Sequence, residues 1–520
     1  MRPAGAATLL LALLVLPSCF IIHHTRVEEL ARTPVHVDAP VRAHMVDGTT
    51  VVFRHGVEVT TDSLIALSAG VRFGLTLAES SAVRSVPMAS VLGLETYRDE
   101  VDPTSTFVVS TLATAAFIGG TIAIICAADP KCFGSCPTIY SDSAGQAVLE
   151  AEGFSYAIAP LFEMRDIDAL RVRPDSAGEV RLEVRNEALE THYINQLALL
   201  EAVHAPDERI APDATGHPVA VRDLQVPAAV HDRAGRDVGP AVATHDGVVF
   251  ATDSQTLAHA TAADHDDWLD IEAPAPAADS AALALRLRNS LLTTVLFYDV
   301  MLGDRGANAL NYVSNDLSRI GPAVDLGRWY VEHMGMRISV WDHGAWHQAG
   351  RLLDTGPVAW KDVVVMVPVP RCEPVLRIRL SFVADDWRID RVAVAGSWRR
   401  PRSRIVEVSR VIDSEGHEDT TAAASLRSPD TRYLRTQPSQ RFSLRFDTGL
   451  EPADSTRSFL LVSQGYYIEW IRQGWISQAN PAATAAFTAG DDAIGESLRR
   501  WKDGHAELER RFAATRVPVR

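Results

Sequence analysis

Hydrophobic and polar residues alternate along several short stretches of the chain. In the stretch VRLEVR at 180–185, apolar side chains occupy every second position, which is the period of a strand buried on one face. The stretches at 285–289, 376–382 and 442–447 alternate in the same way. The sequence therefore predicts a mainly β, multidomain protein built from sandwich-like units.

Two regions have a helical period instead. Apolar residues recur every three or four positions over residues 307–334, where Gly321 and Pro322 would separate a pair of helices. The tail at 481–520 predicts a C-terminal helix whose buried stripe consists of Ile494, Leu498, Trp501, Leu508 and Phe512.

Residues 107–128 form an uncharged run of 22 residues. About 20 apolar residues are enough for a helix to cross a membrane. The small residues in the run, such as Gly119 and Gly120, also suit a helix packed closely against protein. The sequence leaves both interpretations open, a transmembrane segment or a buried helix.

These patterns divide the chain into eight predicted parts. They are a signal peptide (1–19), a small β domain (20–103), the apolar segment (104–128), one or more β domains (129–300), a helical pair (301–335), a sandwich-like unit (336–400), loops and strands (401–480) and a C-terminal helix (481–520). LEVRNEALET at 182–191 and LRLRNSLLTT at 285–294 share Arg-Asn, Leu and Thr at equal offsets. This similarity reflects either an internal duplication or chance in a sequence rich in Arg and Leu.

The N-terminus has the order of a secretory signal. Arg2 precedes an apolar run at 6–16, and a small residue, Ser18, stands just before Cys19. A cysteine at the cleavage point is typical of a bacterial lipoprotein, in which Cys19 would carry the lipid. The alternative is an ordinary signal peptide or an uncleaved anchor with an incidental cysteine.

Composition argues against some classes of partner and of catalytic mechanism. The net charge of −16 over 520 residues argues against a nucleic acid partner, because such binding depends on Lys and Arg neutralising phosphates. Only Lys131, Lys361 and Lys502 are lysines, and none lies in a phosphate-binding or Schiff-base motif. The sequence predicts neither a cofactor nor a metal.

Four cysteines remain if Cys19 is lipidated, and an exported protein can form disulfides. Three pairings of these four are possible, and the sequence does not choose between them. The candidates are Cys126, Cys132, Cys136 and Cys372.

Aromatic residues are the main candidates for ligand binding, since nine of the ten tryptophans lie beyond residue 328. One predicted platform comprises Trp341, Trp346 and Trp387; a second comprises Tyr466, Tyr467, Trp470 and Trp475. The alternative is that these rings belong to the core or to cross-strand pairs.

Motifs for nucleophilic, zinc-dependent or nucleotide-dependent catalysis do not occur in the sequence. Asp385, Asp386 and Asp390 flank Trp387 and are the first candidates for a carboxylate pair of the kind that glycosidases use. A solvated acidic turn is the alternative interpretation.

One region carries a resemblance. The Ser135-Cys136-Pro137-Thr138-x-Tyr140 motif, Arg165-Asp166 and Arg185-Asn186-Glu187 resemble a family of uncharacterised cell-envelope lipoproteins of Gram-negative bacteria, over roughly residues 130–220. The resemblance implies a location in the cell envelope and does not imply any particular activity.

The sequence thus predicts a lipid-anchored envelope protein that acts as a binding or assembly module. Its first expected partner is the membrane, which it would contact through the lipid anchor and also through residues 107–128 if that segment is transmembrane. The second is an envelope protein or a glycan. An envelope glycan-active enzyme and an integral membrane component are the two alternatives.

Overall fold

The structure is a computed structural model that describes residues 34–73, 82–97, 136–143, 145–371, 373–450, 456–477, 479–480, 492–514, 517 and 519. It confirms the predicted fold class, since 47% of the described residues are in strands and 20% are in helices. Several sequence-based predictions lie outside the described residues. These are the signal peptide with Cys19, the apolar segment 107–128, and Cys126, Cys132 and Cys372.

The first seven strands form one antiparallel sheet in the order β1-β4-β5-β3-β2-β7, with β6 paired to β5. Asp47 and Gly48 turn the chain between β2 and β3, where Gly48 has a φ of 82° that a residue with a Cβ rarely adopts. The strands are β1 (Val35–Val37), β2 (Val41–Met45), β3 (Thr50–Phe53), β4 (Val57–Val59), β5 (Ser63–Phe73), β6 (Ala82–Pro87) and β7 (Val91–Thr96).

The remaining described strands follow in chain order. They are β8 (Thr138–Ser143), β9 (Gln146–Glu152), β10 (Met164–Ala169), β11 (Glu179–Arg185), β12 (Glu190–His204), β13 (Arg209–Pro212), β14 (Pro218–Arg222), β15 (Ala229–Asp232), β16 (Asp266–Pro274), β17 (Ser280–Asn289), β18 (Met336–Asp342), β19 (Ala345–Leu352), β20 (Lys361–Pro368), β21 (Val375–Val383), β22 (Trp387–Ala395), β23 (Ser397–Arg399), β24 (Arg402–Glu407), β25 (Arg410–Ile412), β26 (Leu434–Thr436), β27 (Arg441–Asp447) and β28 (Thr456–Glu469).

These strands build five more antiparallel sheets. The central sheet has the order β10-β28-β12-β24, with β26 also paired to β12. Beside it lies the sheet β25-β27-β11-β8-β9, and a short sheet has the order β13-β14-β23. The sheets β15-β16-β21-β18-β19 and β20-β17-β22 enclose a common core that includes Leu269, Leu283, Phe382 and Trp387. This sandwich takes strands from both sides of the helical region at 301–335.

The described helices are α1 (Ser254–His259), α2 (Leu292–Thr294), α3 (Asn308–Asn311), α4 (Ile320–His333), α5 (Thr420–Leu426), α6 (Gln473–Ser477) and α7 (Asp492–Ala514). Helix α2 continues as π-helical turns over Val295–Leu302. Gly321 and Pro322 lie in the first turn of α4 rather than between two helices, because proline fits the start of a helix. The predicted C-terminal helix is confirmed as α7, whose Leu498 and Trp501 are buried. Among the described helices, none is both long and apolar enough to cross a membrane.

The two similar decapeptides begin alike and then diverge. Each contains a buried asparagine at the end of a strand: Asn186 directly follows β11, and Asn289 is the last residue of β17. The Asn186 side chain binds the carbonyls of Glu190 and Thr436, and the chain continues into strand β12. After Asn289 the chain turns instead into α2. The similarity therefore covers a strand and its terminal asparagine.

Trp470 joins the N-terminal sheet to the central sheet. Its ring stacks on His44 of β2 with 3.6 Å between ring centroids, and its Nε1–H donates to Thr191 Oγ1 at 3.0 Å. A Cβ added at Gly93 would come within 2.8 Å of the Trp470 Cβ, so the absence of a side chain there permits the close approach. The Arg42 guanidinium and the Glu95 carboxylate, both fully buried, pair at 3.0 Å in the same joint.

Candidate functional site

Trp341 and Trp346 lie side by side, and arginines of the same chain pack against them. The two rings meet edge to face at 5.3 Å on the half-exposed side of β18 and β19. Arg379 lies 4.5 Å from the centroid of Trp346 and 4.7 Å from that of Trp268, and Arg377 lies 5.5 Å from that of Trp341. The pair therefore belongs to a ladder of alternating Trp and Arg side chains held by cation–π contacts.

The other predicted platform residues are core residues, so their assignment to exposed platforms is wrong. Trp387 is fully buried in the sandwich core. The second platform fails because strand β28 and the turn after it are covered on both faces, which buries consecutive aromatic residues. Its members Tyr466, Tyr467, Trp470 and Trp475 are all buried.

Cys136 is a buried free thiol. Burial raises the pKa of this thiol well above its usual value, and the nearby carboxyl groups of Glu152 and Glu190 act in the same direction. A thiol held in its protonated form is a poor nucleophile.

The aspartates beside Trp387 do not share one site. Asp385 accepts hydrogen bonds from Arg388 at 2.7 Å and from the Trp501 indole of α7 at 2.7 Å. Asp390 is buried and pairs with Arg286 at 3.1 Å. Both groups therefore stabilise contacts between elements of the fold.

Asp386 does pair with another carboxyl group, that of Asp354. Both are buried, and Asn289 Nδ2 donates to Asp354 Oδ1 at 3.1 Å and to Asp386 Oδ2 at 3.3 Å. Burial raises the pKa of Asp386 to about 6, and burial together with the charge of Asp386 raises the pKa of Asp354 well above its usual range. The raised pKa values favour the protonated form within the pair, as for closely spaced carboxyls in general, but the pair is enclosed rather than set in an open cleft.

A second buried pair joins the two long central strands. Glu190 of β12 is hydrogen-bonded to Glu469 of β28 and accepts from His192 Nε2 at 2.7 Å. Burial raises the pKa of Glu190 to about 8 and that of Glu469 well above its usual range, while burial lowers the pKa of His192 to about 3. The pair holds a proton inside the fold and has no exposed surface for a substrate.

An open groove lies instead on the sheet β25-β27-β11-β8-β9. Alternation buries Val180, Leu182 and Val184 of β11 against the core and turns the intervening charged residues outward. The groove has a volume of about 330 Å³. We call it the arginine groove; its charged and aromatic lining consists of Arg181, Arg185, Arg441, Arg445, Asp142, Glu183 and Tyr140.

The strand register places these arginines opposite one another. Arg181 of β11 pairs with Arg445 of β27, which in turn pairs with Arg410 of β25; we call these three the three-arginine row. Arg185 pairs with Arg441, and these form the two-arginine row. Like charges directly opposite across strands destabilise a sheet, so both rows oppose folding unless anions offset them.

Two glutamates partly offset the rows. Glu179 accepts from Arg181 at 2.7 Å and from Arg445 at 2.9 Å, and it lies 3.5 Å from Arg410. Glu183 accepts from Arg185 at 2.5 Å and from Arg441 at 3.0 Å. The hydrogen bond from Arg181 lowers the pKa of Glu179, which keeps that carboxylate charged. Asp175 also accepts from Arg181 at 3.2 Å. Five guanidinium groups, each with five N–H donors, still offer more donors than these three carboxylates accept.

A second depression of about 580 Å³ adjoins the groove and shares Ser141, Asp142 and Arg181 with it. Its lining is mixed in charge and includes Arg171, Arg173, Glu150 and Asp175. The concentration of positive charge is therefore confined to the arginine groove.

Sequence reasoning missed this groove. The stretches at 180–185 and 442–447 were recognised as alternating strands, and each carries arginines on its polar side. What the sequence does not contain is their pairing, because residues 181 and 445 become neighbours only through the register of β11 and β27.

Guanidinium groups arranged in this way can bind anions through charge-assisted, bidentate hydrogen bonds. In the part of the chain that the structure describes, no group of three or more His, Cys, Asp or Glu side chains could hold a metal ion. No protein-family model matches the chain, and no curated protein matches it either.

Proposed function

We propose that this protein is a lipid-anchored module of the bacterial cell envelope that binds an anionic ligand in the arginine groove. One observation carries the binding part of the proposal. A protein with a net charge of −16 places two rows of arginines opposite one another on an open, half-exposed sheet face. The order of residues around Cys19 and the resemblance of 130–220 to envelope lipoproteins support the proposed location in the cell envelope.

The carboxylates predicted for the alternative, a glycan-active enzyme, are not accessible to a glycan. Asp385 and Asp390 are engaged with Arg388 and Arg286, and the Asp354–Asp386 pair is buried. A carboxylate pair that hydrolyses a glycan has to reach the glycosidic bond, so we do not assign an activity to it.

Substituting Arg441 or Arg445 by glutamine is expected to weaken binding of an acidic oligosaccharide about 10- to 100-fold. Each change removes charge-assisted hydrogen bonds worth about 1.5–3 kcal/mol. The measurement is isothermal titration at low salt with an oligosaccharide containing uronic acids, repeated with a neutral oligosaccharide of equal length.

Arg371→Gln is the matched control, because Arg371 is exposed and pairs with exposed Asp279 at 3.3 Å. It removes the same charge far from the groove, so its affinity should equal that of the wild type. Equal losses for Arg371→Gln and Arg441→Gln, or equal binding of the neutral oligosaccharide, would contradict the proposal.

For the anchor, Cys19→Ala is expected to release the protein from the membrane fraction, because the substitution removes the acceptor of the lipid. The measurement is fractionation of cells that express either form, with protease added to intact and to permeabilised spheroplasts. If the variant stays in the membrane, with its C-terminal part protected until the inner membrane is opened, 107–128 is the anchor instead.

A further inference from the structure

We infer that the arginine groove selects an acidic glycan whose negative charges are separated by a neutral unit, with one charge on each arginine row. This inference rests on the proposed function and specifies the ligand of the same site. It follows from the spacing of the two rows, from the carboxylate between them and from the neutral groups beside it.

The register fixes the spacing between the rows. Along β11 the rows are marked by Arg181 and Arg185, and along β27 by Arg445 and Arg441. Four residues of strand at 3.2–3.4 Å each separate the rows by about 13 Å. A single small anion therefore reaches one row only, whereas an extended ligand can reach both.

A fixed negative charge stands between the rows. Glu183 lies midway along β11 and pairs with Ser443 of β27 on one side and with Tyr140 of β8 on the other. Because Glu183 accepts from both arginines of the two-arginine row, it is held in place. A ligand that carries charge along its whole length would bring an anion against this carboxylate, so the groove disfavours it.

The neutral groups at the middle of the groove suit a sugar. The Ser443 hydroxyl is a donor and an acceptor, whereas Tyr140 is buried, with its ring 4.0 Å from the Arg185 guanidinium and its hydroxyl donating to Glu187. Hydroxyl groups of an uncharged sugar can hydrogen-bond at this level without adding charge. A chain in which acidic and neutral sugars alternate therefore matches the order along β11, which is an arginine row, a level without positive charge, and the second arginine row.

The test compares three probes on the full-length protein in detergent by isothermal titration. They are glucuronate, oligosaccharides of increasing length in which uronic acid alternates with neutral N-acetylhexosamine, and linear polyphosphate. Two linked contacts raise affinity by about 10²–10⁴ over one. We expect a rise of at least 100-fold once the oligosaccharide holds two acids about 13 Å apart, and weaker binding of polyphosphate.

Row variants identify the cause of this rise. Arg441→Gln and Arg445→Gln should each lower the affinity for the long oligosaccharide about 10- to 100-fold and leave the affinity for glucuronate within a few-fold. Arg441→Lys keeps the charge and serves if a glutamine variant fails to fold, and Arg371→Gln is the neutral control. Glu183→Gln should raise the affinity for polyphosphate more than the affinity for the alternating oligosaccharide.

The outcomes separate the inference from the proposed function. If no anionic probe binds, both are overturned. If glucuronate binds as tightly as every oligosaccharide, or polyphosphate binds the wild type more tightly than the alternating glycan, the inference is wrong and the anion-binding function stands.

Discussion

Replacing Trp470 by alanine is expected to lower the free energy of unfolding by about 3–5 kcal/mol, the usual cost of emptying a buried tryptophan site. The indole is fully buried, stacks on His44 and donates to Thr191. Its removal leaves a cavity in the joint between two sheets, and the backbone there is fixed by hydrogen bonds between Leu94 and Ile471. The site therefore has little freedom to collapse.

The measurement is urea unfolding of the variant and the wild type. Trp470→Phe keeps an aromatic ring and loses the hydrogen bond to Thr191, so we expect a smaller loss than for alanine. Trp341→Ala, at a half-exposed position of the Trp–Arg ladder, is the matched control for loss of an indole outside the core. Hydrogen exchange should rise in β2 and β7 more than in the sandwich; a loss below about 1 kcal/mol, or uniform exchange, would contradict this account of the joint.

The second large effect is a fall in stability as the pH rises from about 6.5 to 8.5. Burial raises the pKa of Glu190 to about 8 and that of Asp386 to about 6, and it raises the pKa values of Asp354 and Glu469 well above their usual range. In the unfolded chain all four carboxyls are ionised above about pH 5. The folded state thus binds more protons than the unfolded state over this window.

The sign follows from that difference in bound protons. Stability changes with pH in proportion to the protons bound by the unfolded state minus those bound by the folded state, which is negative here. The contribution of each group is fully present below its unfolded pKa and is lost as the pH rises through its folded pKa. The slope is about −1.4 kcal/mol per pH unit for each carboxyl that stays protonated only in the folded state.

Burial raises the pKa of Asp168 to about 7, which adds to the fall in this window, whereas the groups with lowered pKa values act at lower pH. The lowered pKa of His192, about 3, gives stability that is lost only as the pH falls below about 6.5. Glu95 and Glu208, with pKa values lowered to about 2, lose theirs below about pH 4. The raised carboxyls outweigh the single histidine, so the expected profile falls from about pH 5 upward and falls again below about pH 4.

Urea titrations at several pH values measure the effect. Glu190→Gln and Asp354→Asn replace an acid that is protonated in the folded state by a neutral amide, so each should flatten the fall above pH 6.5. Asp279→Asn, at an exposed carboxylate, should leave the profile unchanged. A wild-type stability that is constant or rises between pH 6.5 and 8.5 would show that these carboxyls are not protonated in the fold.

How far the sequence predicted this fold depended on whether a strand is covered on one face or on two. Alternation at 180–185 correctly marked a strand with one exposed face, because the core lies on one side of β11 only. The same rule did not predict the burial of Tyr466 and Tyr467. Strand β28 pairs with β10 and β12 at its edges, and both of its faces are covered, so consecutive residues are buried. Consecutive aromatics in such a strand are all buried.

Polar sites were less predictable because they depend on partners distant in sequence. Asp386 was singled out with its sequence neighbours Asp385 and Asp390, but its carboxyl partner is Asp354, contributed by the chain after β19. The arginine rows likewise need the pairing of residues 181 and 445. Composition and spacing carry no information about register, so neither arrangement was visible from the sequence.

The pairing of β12 with β28 determines when the central sheet can be completed. Thr191 and its partner Trp470 are 279 residues apart along the chain, and everything between them must be made before the central sheet has its middle strand. Until then β12 presents an unpaired apolar edge, which is the kind of surface on which chains aggregate. A chain with this topology keeps that edge of β12 open until β28 is available to pair with it.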